Sequence, residues 1–238
     1  MRKKKNGAQR LSQCEELLIT MPDAPLSDPS VLFGKKGAPV FLEIGAGKGG
    51  FATEMAKRNP EACYIAMERV SDCVVLAAEK AKAENPAPQN LRFIVESADN
   101  LAFLLSEGTL DRIFLNFSDP WSKKGYAKRR LTHKRYLALY FNLLKEGGVL
   151  RFKTDNVGLF DFSLEQIEQM GLECDIVTRD LHNSEWNEGN VRTEYEEAFS
   201  AQGFSINMLE VRRPVGFKPE IPRELSLSRE TYKKTVRE

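Results

Sequence analysis

Short apolar runs alternate with helix-like stretches along most of the chain, and this alternation constrains the fold more than any other feature. Seven runs have the length and composition of strands: residues 40–44, 64–67, 91–95, 112–116, 149–153, 174–178 and 204–211. Helical periodicity marks residues 50–58, 70–84, 100–106, 132–145, 158–170 and 193–202. Strands alternating with helices predict an α/β fold, a doubly wound, Rossmann-like sheet of seven mostly parallel strands. The last strand follows a long loop, so we expect it to run antiparallel at the sheet edge.

The alternating pattern lies within one predicted domain, residues 33–213. Before it, residues 1–32 combine a basic start, a short amphipathic helix over residues 10–21 and a proline-rich linker. After it, residues 214–238 form a basic tail that we expect to be irregular. A net charge of +1 with 29% charged residues is typical of a globular protein and excludes a disordered polyelectrolyte.

Several classes of protein and site are not supported by the sequence. No run approaches the roughly 18 apolar residues of a membrane span, and the basic start is not followed by the apolar stretch of a signal peptide. The four cysteines are scattered without a C-x-x-C pair, and there are only two histidines, so we expect no metal site. Reduced thiols indicate a cytoplasmic location, while the oligomeric state, monomer or homodimer, is open.

The first predicted strand runs into a glycine-rich turn and then a helix. Gly45, Gly47 and Gly50 have the G-x-G-x-x-G spacing, in which glycines allow a tight turn and a close approach of the backbone to a ligand. Glu68 ends the second strand, where a carboxylate suits ribose hydroxyls. The motif alone fits both a nicotinamide cofactor and S-adenosylmethionine (SAM), because both carry a ribose.

Glu43, two residues before the first glycine, favours SAM. A carboxylate here would repel a pyrophosphate, whereas it attracts the cationic aminoacyl-sulfonium end of SAM. The first two strand ends therefore predict a SAM site that includes Glu43, Gly45, Gly47 and Glu68.

The fourth predicted strand ends in Asn-Phe-Ser-Asp-Pro-Trp, residues 116–121. Asp119 follows this strand beside an aromatic residue, Trp121. This pair suits a pocket for a planar base, in which the carboxylate accepts hydrogen bonds from the N–H groups of the base. Residues 123–135, called here the basic strip, hold seven Lys and Arg and no acidic residue. Such a run is often only a solvated helix face, but its place at the ligand edge favours contact with RNA phosphates.

Together these motifs resemble the bacterial tRNA (guanine-N7-)-methyltransferases, a family with the class I SAM-dependent methyltransferase fold, over residues 33–213. The resemblance rests on the glycine loop at 43–49, the blocks at 116–121 and 128–131, Lys-Thr-Asp-Asn at 153–156 and Thr-Glu-Tyr-Glu at 193–196. It implies methyl transfer from SAM to N7 of a guanosine in the variable loop of tRNA.

The resemblance also implies roles for single residues. Those that would contact or border SAM are Glu43, Gly45, Gly47, Glu68, Ser97 and Asp119. Those that would face the tRNA are Lys123, Asp155, Thr193, Glu194, Tyr195 and Glu196. Asp119 is the candidate catalytic residue, because a carboxylate can stabilise the positive charge that develops on guanine. Asp155 also suits a helix N-cap, and Thr193 with Glu196 also suits a capping box.

Three positions depart from the family pattern. Ser122 stands where the family usually has proline, and Gly125-Tyr126 stands where it has Arg-His. Ser97 takes the place of an aspartate that reads the adenine or its ribose, with Asp99 two residues further on. Since serine can still form hydrogen bonds, we expect altered cofactor affinity rather than lost activity.

Three alternatives stay open. One is a SAM-dependent methyltransferase that acts on an exocyclic amine of another RNA or a small substrate, since residues 118–121 faintly resemble amine-methylating motifs. Another is a nicotinamide oxidoreductase, which NADH but not SAM would protect against heat. The last is a non-catalytic RNA-binding module, which would bind tRNA without methylating it.

Overall fold

The computed structural model describes residues 6–225 of the 238-residue chain. Its seven-stranded sheet has the spatial order β3-β2-β1-β4-β5-β7-β6. The strands are β1 Val40–Ile44, β2 Cys63–Glu68, β3 Leu91–Val95, β4 Leu110–Asn116, β5 Leu144–Thr154, β6 Ile176–Thr178 and β7 Asn207–Arg212. Strands β1 to β5 pair in parallel, whereas β7 runs antiparallel to β5 and β6. The predicted doubly wound, mostly parallel α/β fold with an antiparallel last strand is confirmed.

Helices follow most strands and cover both faces of the sheet. Within the described residues they are α1 Gly7–Ser12, α2 Gly50–Arg58, α3 Ser71–Lys82, α4 Leu101–Leu104, α5 Lys134–Leu143, α6 Val157–Glu168 and α7 Glu194–Ser200. Successive strand residues feed two separate apolar clusters: Leu42 and Ile65 pack in one, Tyr64 and Phe114 in the other. Burial on both faces explains why these strands read as nearly continuous apolar runs.

The position of β7 differs from the prediction. We expected the last strand at the sheet edge, but it lies between β5 and β6, and the edge strand is β6. The reason is burial: five of the six residues of β7 are buried, whereas the three residues of β6 are partly or fully exposed. A short, exposed strand suits an edge better than a long apolar one.

The predicted helix over residues 10–21 is also wrong in length. The chain forms α1 only as far as Ser12 and then a 3-10 turn, Glu15–Leu17. It must leave the helix because Leu18 pairs in parallel with Phe93, and the amide of Ile19 donates to the Phe93 carbonyl at 2.8 Å. The segment thus adds a short extended stretch beside β3.

The described residues on both sides of the predicted domain pack against it. Cys14, Leu17 and Ile19 are buried before residue 33, and Leu225 is buried after residue 213. The boundaries at 32/33 and 213/214 stay predictions. The basic start at residues 2–5 and the tail beyond residue 225 lie outside the described residues. None of the helices in residues 6–225 has both the length and the apolar character needed to cross a bilayer.

Candidate active site

Two adjoining cavities open at the carboxyl ends of the parallel strands, where open α/β sheets bind ligands. The first cleft, of about 620 Å³, lies beyond the ends of β1 to β4. The second cleft, of about 420 Å³, lies between the glycine loop and the start of α7. Gly45, Asn116 and Phe117 line both, so the two clefts meet at these residues.

Most of the predicted site residues line one of the two clefts. Those in the first cleft are Gly45, Glu68, Ser97 and Asp119. Those in the second cleft are Glu43, Gly45, Gly47, Thr193, Glu194 and Tyr195. Lys123, Asp155 and Glu196 line neither. The fold therefore brings together residues that are up to 152 positions apart, from Glu43 to Tyr195.

The glycine loop leaves open space beside its backbone. Gly45 and Gly47 have φ of 83° and 54°, in the left-handed region that favours glycine. A Cβ added at either residue would meet no atom within 4 Å, so the absent side chains leave room for a ligand. Glu68 fixes the loop: its carboxylate accepts from the amide of Gly47 at 3.1 Å and from that of Val70 at 2.9 Å.

Glu43 is a buried residue at the second cleft, with 2% exposure. Its Oε1 accepts from the side-chain amide of Asn116 at 2.9 Å, whereas its Oε2 has no hydrogen-bond partner. Burial raises the pKa of Glu43 to about 7, although Asn116 and the positive charge of Lys153 act to lower it. A buried carboxyl oxygen without a partner is costly, and a cationic ligand at this point would relieve that cost.

Ser97 and Asp99 follow β3 and are hydrogen-bonded to each other. The Ser97 hydroxyl donates to Asp99 at 3.0 Å and accepts from its amide at 3.3 Å. Asp99 also accepts from Arg135 at 3.0 Å and from the Tyr136 hydroxyl at 2.8 Å. All four residues line the first cleft. Arg135 therefore connects the basic strip to the wall of this cleft.

Asp119 lies in a strained loop at the mouth of the first cleft. Its side chain is 72% exposed, and the nearest cation, Arg69, is 4.0 Å away. Phe117 and Trp121, two residues to either side, have φ of 51° and 41°, which non-glycine residues rarely adopt. Strain of this kind clusters at binding and catalytic sites.

The second cleft is bounded by aromatic rings and by an ion pair. The ring centroids of Tyr195 and Phe117 lie 5.0 Å apart. Burial and the nearby Asp155 carboxylate raise the pKa of Tyr195. Glu194 pairs with Lys80 of α3 at 2.6 Å. The charge of Asp155 therefore acts on the second cleft through Tyr195.

Glu196 differs from the expectation that it faces the tRNA. Its side chain is fully buried and forms a 2.5 Å ion pair with Lys153, while His182 lies 2.8 Å from its other oxygen. Although burial acts to raise the pKa of Glu196, the charge and hydrogen bond of Lys153 lower it below its usual range. The capping box with Thr193 is present, so Glu196 positions α7 instead of lining the cleft.

The basic strip begins on the surface beside the first cleft. Lys123 is exposed and precedes a 3-10 turn, Lys124–Arg129. Further along the strip, His133 is the N-cap of α5, and its side chain accepts a hydrogen bond from the amide of Arg135. Burial and the surrounding cations lower the pKa of His133.

The cap of α6 is Asn156 and not Asp155, because the Asn156 side chain accepts a hydrogen bond from the amide of Leu159.

Sequence reasoning missed three contributors. Asn116 is the partner of Glu43, Lys153 is the partner of Glu196, and Arg69 is the cation nearest to Asp119. Asn116 and Lys153 each occupy the last or next-to-last position of a strand. A polar residue that ends an apolar strand at the ligand edge is the signal that could have identified them.

The residues present fit SAM. Glu68 ends β2, where a carboxylate suits ribose hydroxyls. Glu43 has a carboxyl oxygen without a hydrogen-bond partner, which suits a cation, and the glycine loop leaves open space. Across residues 6–225, no cluster of three or more His, Cys, Asp or Glu side chains is arranged to hold a metal ion.

Known proteins with similar sequences are methyltransferases. A family model described as "Putative methyltransferase" matches residues 37–209. The tRNA (guanine-N(7)-)-methyltransferase of Macrococcus caseolyticus (strain JCSC5402) is 45% identical over 174 residues, 73% of this chain and 81% of that protein.

Solved structures share the fold at low sequence identity. The 16S rRNA methyltransferase KamB has a TM-score of 0.60 and 12% identity, over 79% of this chain and 96% of that chain. A variant of the 16S rRNA (adenine(1408)-N(1))-methyltransferase of Catenulisporales acidiphilia, solved with cosubstrate SAM, has a TM-score of 0.51 and 12% identity, over 92% and 96%. The fold and the family model thus agree with the closer sequence relative, and the chain belongs to the tRNA (guanine-N7-)-methyltransferase family of SAM-dependent enzymes.

Proposed function

We propose that this protein transfers the methyl group of SAM to N7 of a guanosine in tRNA, the variable-loop guanosine implied by the family resemblance. The observation that carries the proposal is the meeting of two clefts at Gly45, Asn116 and Phe117. The residues assigned to SAM lie on both sides of this junction, so the cofactor would bind across it and leave the rest of the two clefts to a second reactant. The basic strip beside them suits the phosphates of an RNA.

Glu43, Gly45, Gly47, Glu68 and Ser97 are the residues that would hold SAM. Glu68 would bind the ribose hydroxyls, and the backbone of the glycine loop would lie against the cofactor. Glu43 would face its cationic end. When bound, SAM supplies an electrophilic methyl group on a sulfonium.

Guanine N7 carries an in-plane lone pair, so its methylation requires no base to remove a proton. The protein mainly has to hold N7 at the right distance and angle from the methyl group. Asp119 is the residue we assign to this task, because it lies at the mouth of the first cleft with its carboxylate accessible. Its negative charge would also stabilise the guanine as it becomes cationic.

We assign contacts with the tRNA to Lys123, Asp155, Thr193, Glu194 and Tyr195. The last three line the second cleft, and the charge of Asp155 acts on Tyr195. Glu196, predicted as a further contact, is assigned a positioning role because it is fully buried. We assign the reaction to the cytoplasm, because its substrate is tRNA.

Replacing Asp119 tests the catalytic assignment. We expect Asp119→Ala to lose most methylation activity while it keeps its affinity for tRNA. The exposed side chain contributes little to folding, so the variant should stay folded and the lost activity should reflect the missing carboxylate. Methyl transfer is measured with labelled SAM, and tRNA binding by filter retention. Turnover near that of the wild type would remove Asp119 from the mechanism.

Heat protection separates the proposed function from a nicotinamide enzyme. We expect SAM to raise the melting temperature, because a ligand that binds only the folded state stabilises it. NADH should leave the melting temperature unchanged. The reverse result would favour the oxidoreductase, and tRNA binding without methyl transfer would favour the non-catalytic module.

A further inference from the structure

Three side chains at the mouth of the first cleft form a cluster outside the roles assigned above. Trp121, Tyr126 and Arg129 are called here the aromatic platform. The two rings meet edge to face, with centroids 5.8 Å apart. The Arg129 guanidinium lies over both rings, 5.0 Å from the Trp121 centroid and 4.7 Å from that of Tyr126. Trp121 and Arg129 line the first cleft, and Tyr126 is 42% exposed.

The aromatic platform is held in place by its own loop. Arg130 donates to the carbonyls of Pro120 and Trp121, at 3.0 and 3.2 Å, and so fixes the turn in which Trp121 takes its positive φ. Arg130 itself lies 4.3 Å from the ring centroid of Phe162 on α6. A preorganised surface binds a ligand with little further loss of its own conformational entropy.

The chemistry of the aromatic platform matches one nucleotide. Aromatic faces stack on any nucleobase, and a guanidinium binds phosphate oxygens through a fork of N–H donors. Within the described part of the chain, Arg129 has no hydrogen bond or ion pair; its contacts are with the two rings. Its N–H donors are therefore available to an anion.

Building on the proposed function, we propose that the aromatic platform holds the nucleotide next to the target guanosine. The unpaired base of that nucleotide stacks on the ring of Tyr126 and contacts Trp121, and its phosphate binds Arg129. The target guanine itself fits less well here, because methylation makes it a cation that would face the guanidinium. A flanking base stays neutral throughout. The substrate must then be unstacked at two successive nucleotides.

Trp121 is itself a probe of this contact. The chain has two tryptophans, and the other, Trp186, is partly exposed and lines neither cleft. The variant Trp186→Phe leaves Trp121 as the single indole fluorophore. We expect its fluorescence to be quenched saturably by tRNA, and much less by an RNA duplex without unpaired bases.

Two further changes in the Trp186→Phe background separate stacking from folding. Tyr126→Ala should weaken tRNA binding on the order of tenfold and reduce the quenching, because stacking on one ring is lost. Tyr126→Phe keeps the ring and should retain both properties. Melting temperatures equal to that of the parent show that each variant is folded.

Equal quenching by duplex RNA and tRNA, or unchanged tRNA affinity in Tyr126→Ala, would overturn the proposed role of the aromatic platform in binding a nucleotide. N7 methylation of tRNA by the Trp186→Phe parent is measured in the same preparation. Methylation without quenching refutes the proposed role of the aromatic platform and leaves the proposed function intact. Failure of the parent both to bind and to methylate tRNA refutes both.

Discussion

At the scale of single residues, the ionisation of Glu43 is set by its surroundings. One oxygen is bound to Asn116 and the other has no partner. With a pKa raised to about 7 by burial, the group is mostly a neutral acid at lower pH in the free protein. A cationic ligand favours the carboxylate, so binding such a ligand is coupled to loss of the proton.

We expect the affinity for SAM to rise with pH up to about 7 and then level off. Below the pKa the proton must leave before the carboxylate can meet the cation, which costs up to about tenfold in affinity per pH unit. Calorimetric titration in buffers of different ionisation enthalpy measures both affinity and proton release. Glu43→Gln should bind SAM more weakly and without this dependence. Affinity that is flat with pH in the wild type would contradict the assignment.

The same raised pKa predicts an effect on folding. A carboxyl whose pKa moves from 4.5 in the unfolded chain to about 7 in the folded one binds more protons when folded. Its contribution therefore makes the protein less stable as pH rises through that interval, by about 3 kcal/mol in total. Urea denaturation should show Glu43→Gln to be more stable than the wild type near pH 8, with the gap closing towards pH 5. A constant gap would argue against the buried acid.

The sequence predicts where Glu43 stands but not what it contacts. Its place before the glycine turn is readable from the motif. Its contact with Asn116, 73 residues later, depends on β1 pairing directly with β4. That adjacency is a property of the crossover connection, which the local pattern of apolar residues does not contain.

At the scale of elements, α7 is held by the side chain that caps it. Glu196 completes the capping box with Thr193 and forms the buried ion pair with Lys153 of β5. The start of α7 carries the Thr193 to Tyr195 wall of the second cleft. The geometry of that wall therefore depends on an ion pair in the interior.

We expect Glu196→Gln to lower the free energy of unfolding by about 3–5 kcal/mol, because it leaves the charge of Lys153 buried without a counter-charge. Glu194→Gln is the matched control: it breaks the exposed pair with Lys80 and should cost no more than about 1 kcal/mol. Urea denaturation monitored by circular dichroism gives both values. Equal costs would show that the buried pair is not what holds α7.

Element boundaries were predictable where local signals were strong. The structure has β1, β3 and α2 at the predicted residues, where apolar runs end at glycine or polar residues. The capping box of α7 is visible as Thr193-x-x-Glu196. By contrast, the insertion of β7 between β5 and β6 rests on burial of a whole strand, which no local signal shows.

At the scale of the whole molecule, a net charge of +1 averages two opposite regions. Residues 123–135 carry seven cations and no acid, whereas residues 160–210 carry twelve acidic residues and two arginines. The structure places the basic strip beside the first cleft, where Arg129 and Arg135 line its wall. The overall charge thus hides the surface expected to face RNA.

Replacing Lys124 and Lys128 by glutamine should weaken tRNA binding and lower the slope of log affinity against log salt by about 2, roughly one for each phosphate that is no longer neutralised. The matched control replaces Lys36 and Lys57, which lie at the opposite end of the sheet, before β1 and at the end of α2. The control should leave the slope unchanged. Filter binding across a salt series measures the affinity and the slope. A slope in the Lys124 and Lys128 variant equal to that of the wild type would show that the basic strip does not contact phosphates.

Methylation of guanine N7 is tested by nucleoside analysis of tRNA after incubation with labelled SAM. The tRNA should lack the modification beforehand, and Asp119→Ala serves as the negative control. We expect the label in 7-methylguanosine and in no other nucleoside. Label on an exocyclic amine, or no label despite measurable binding of SAM and tRNA, would contradict this expectation.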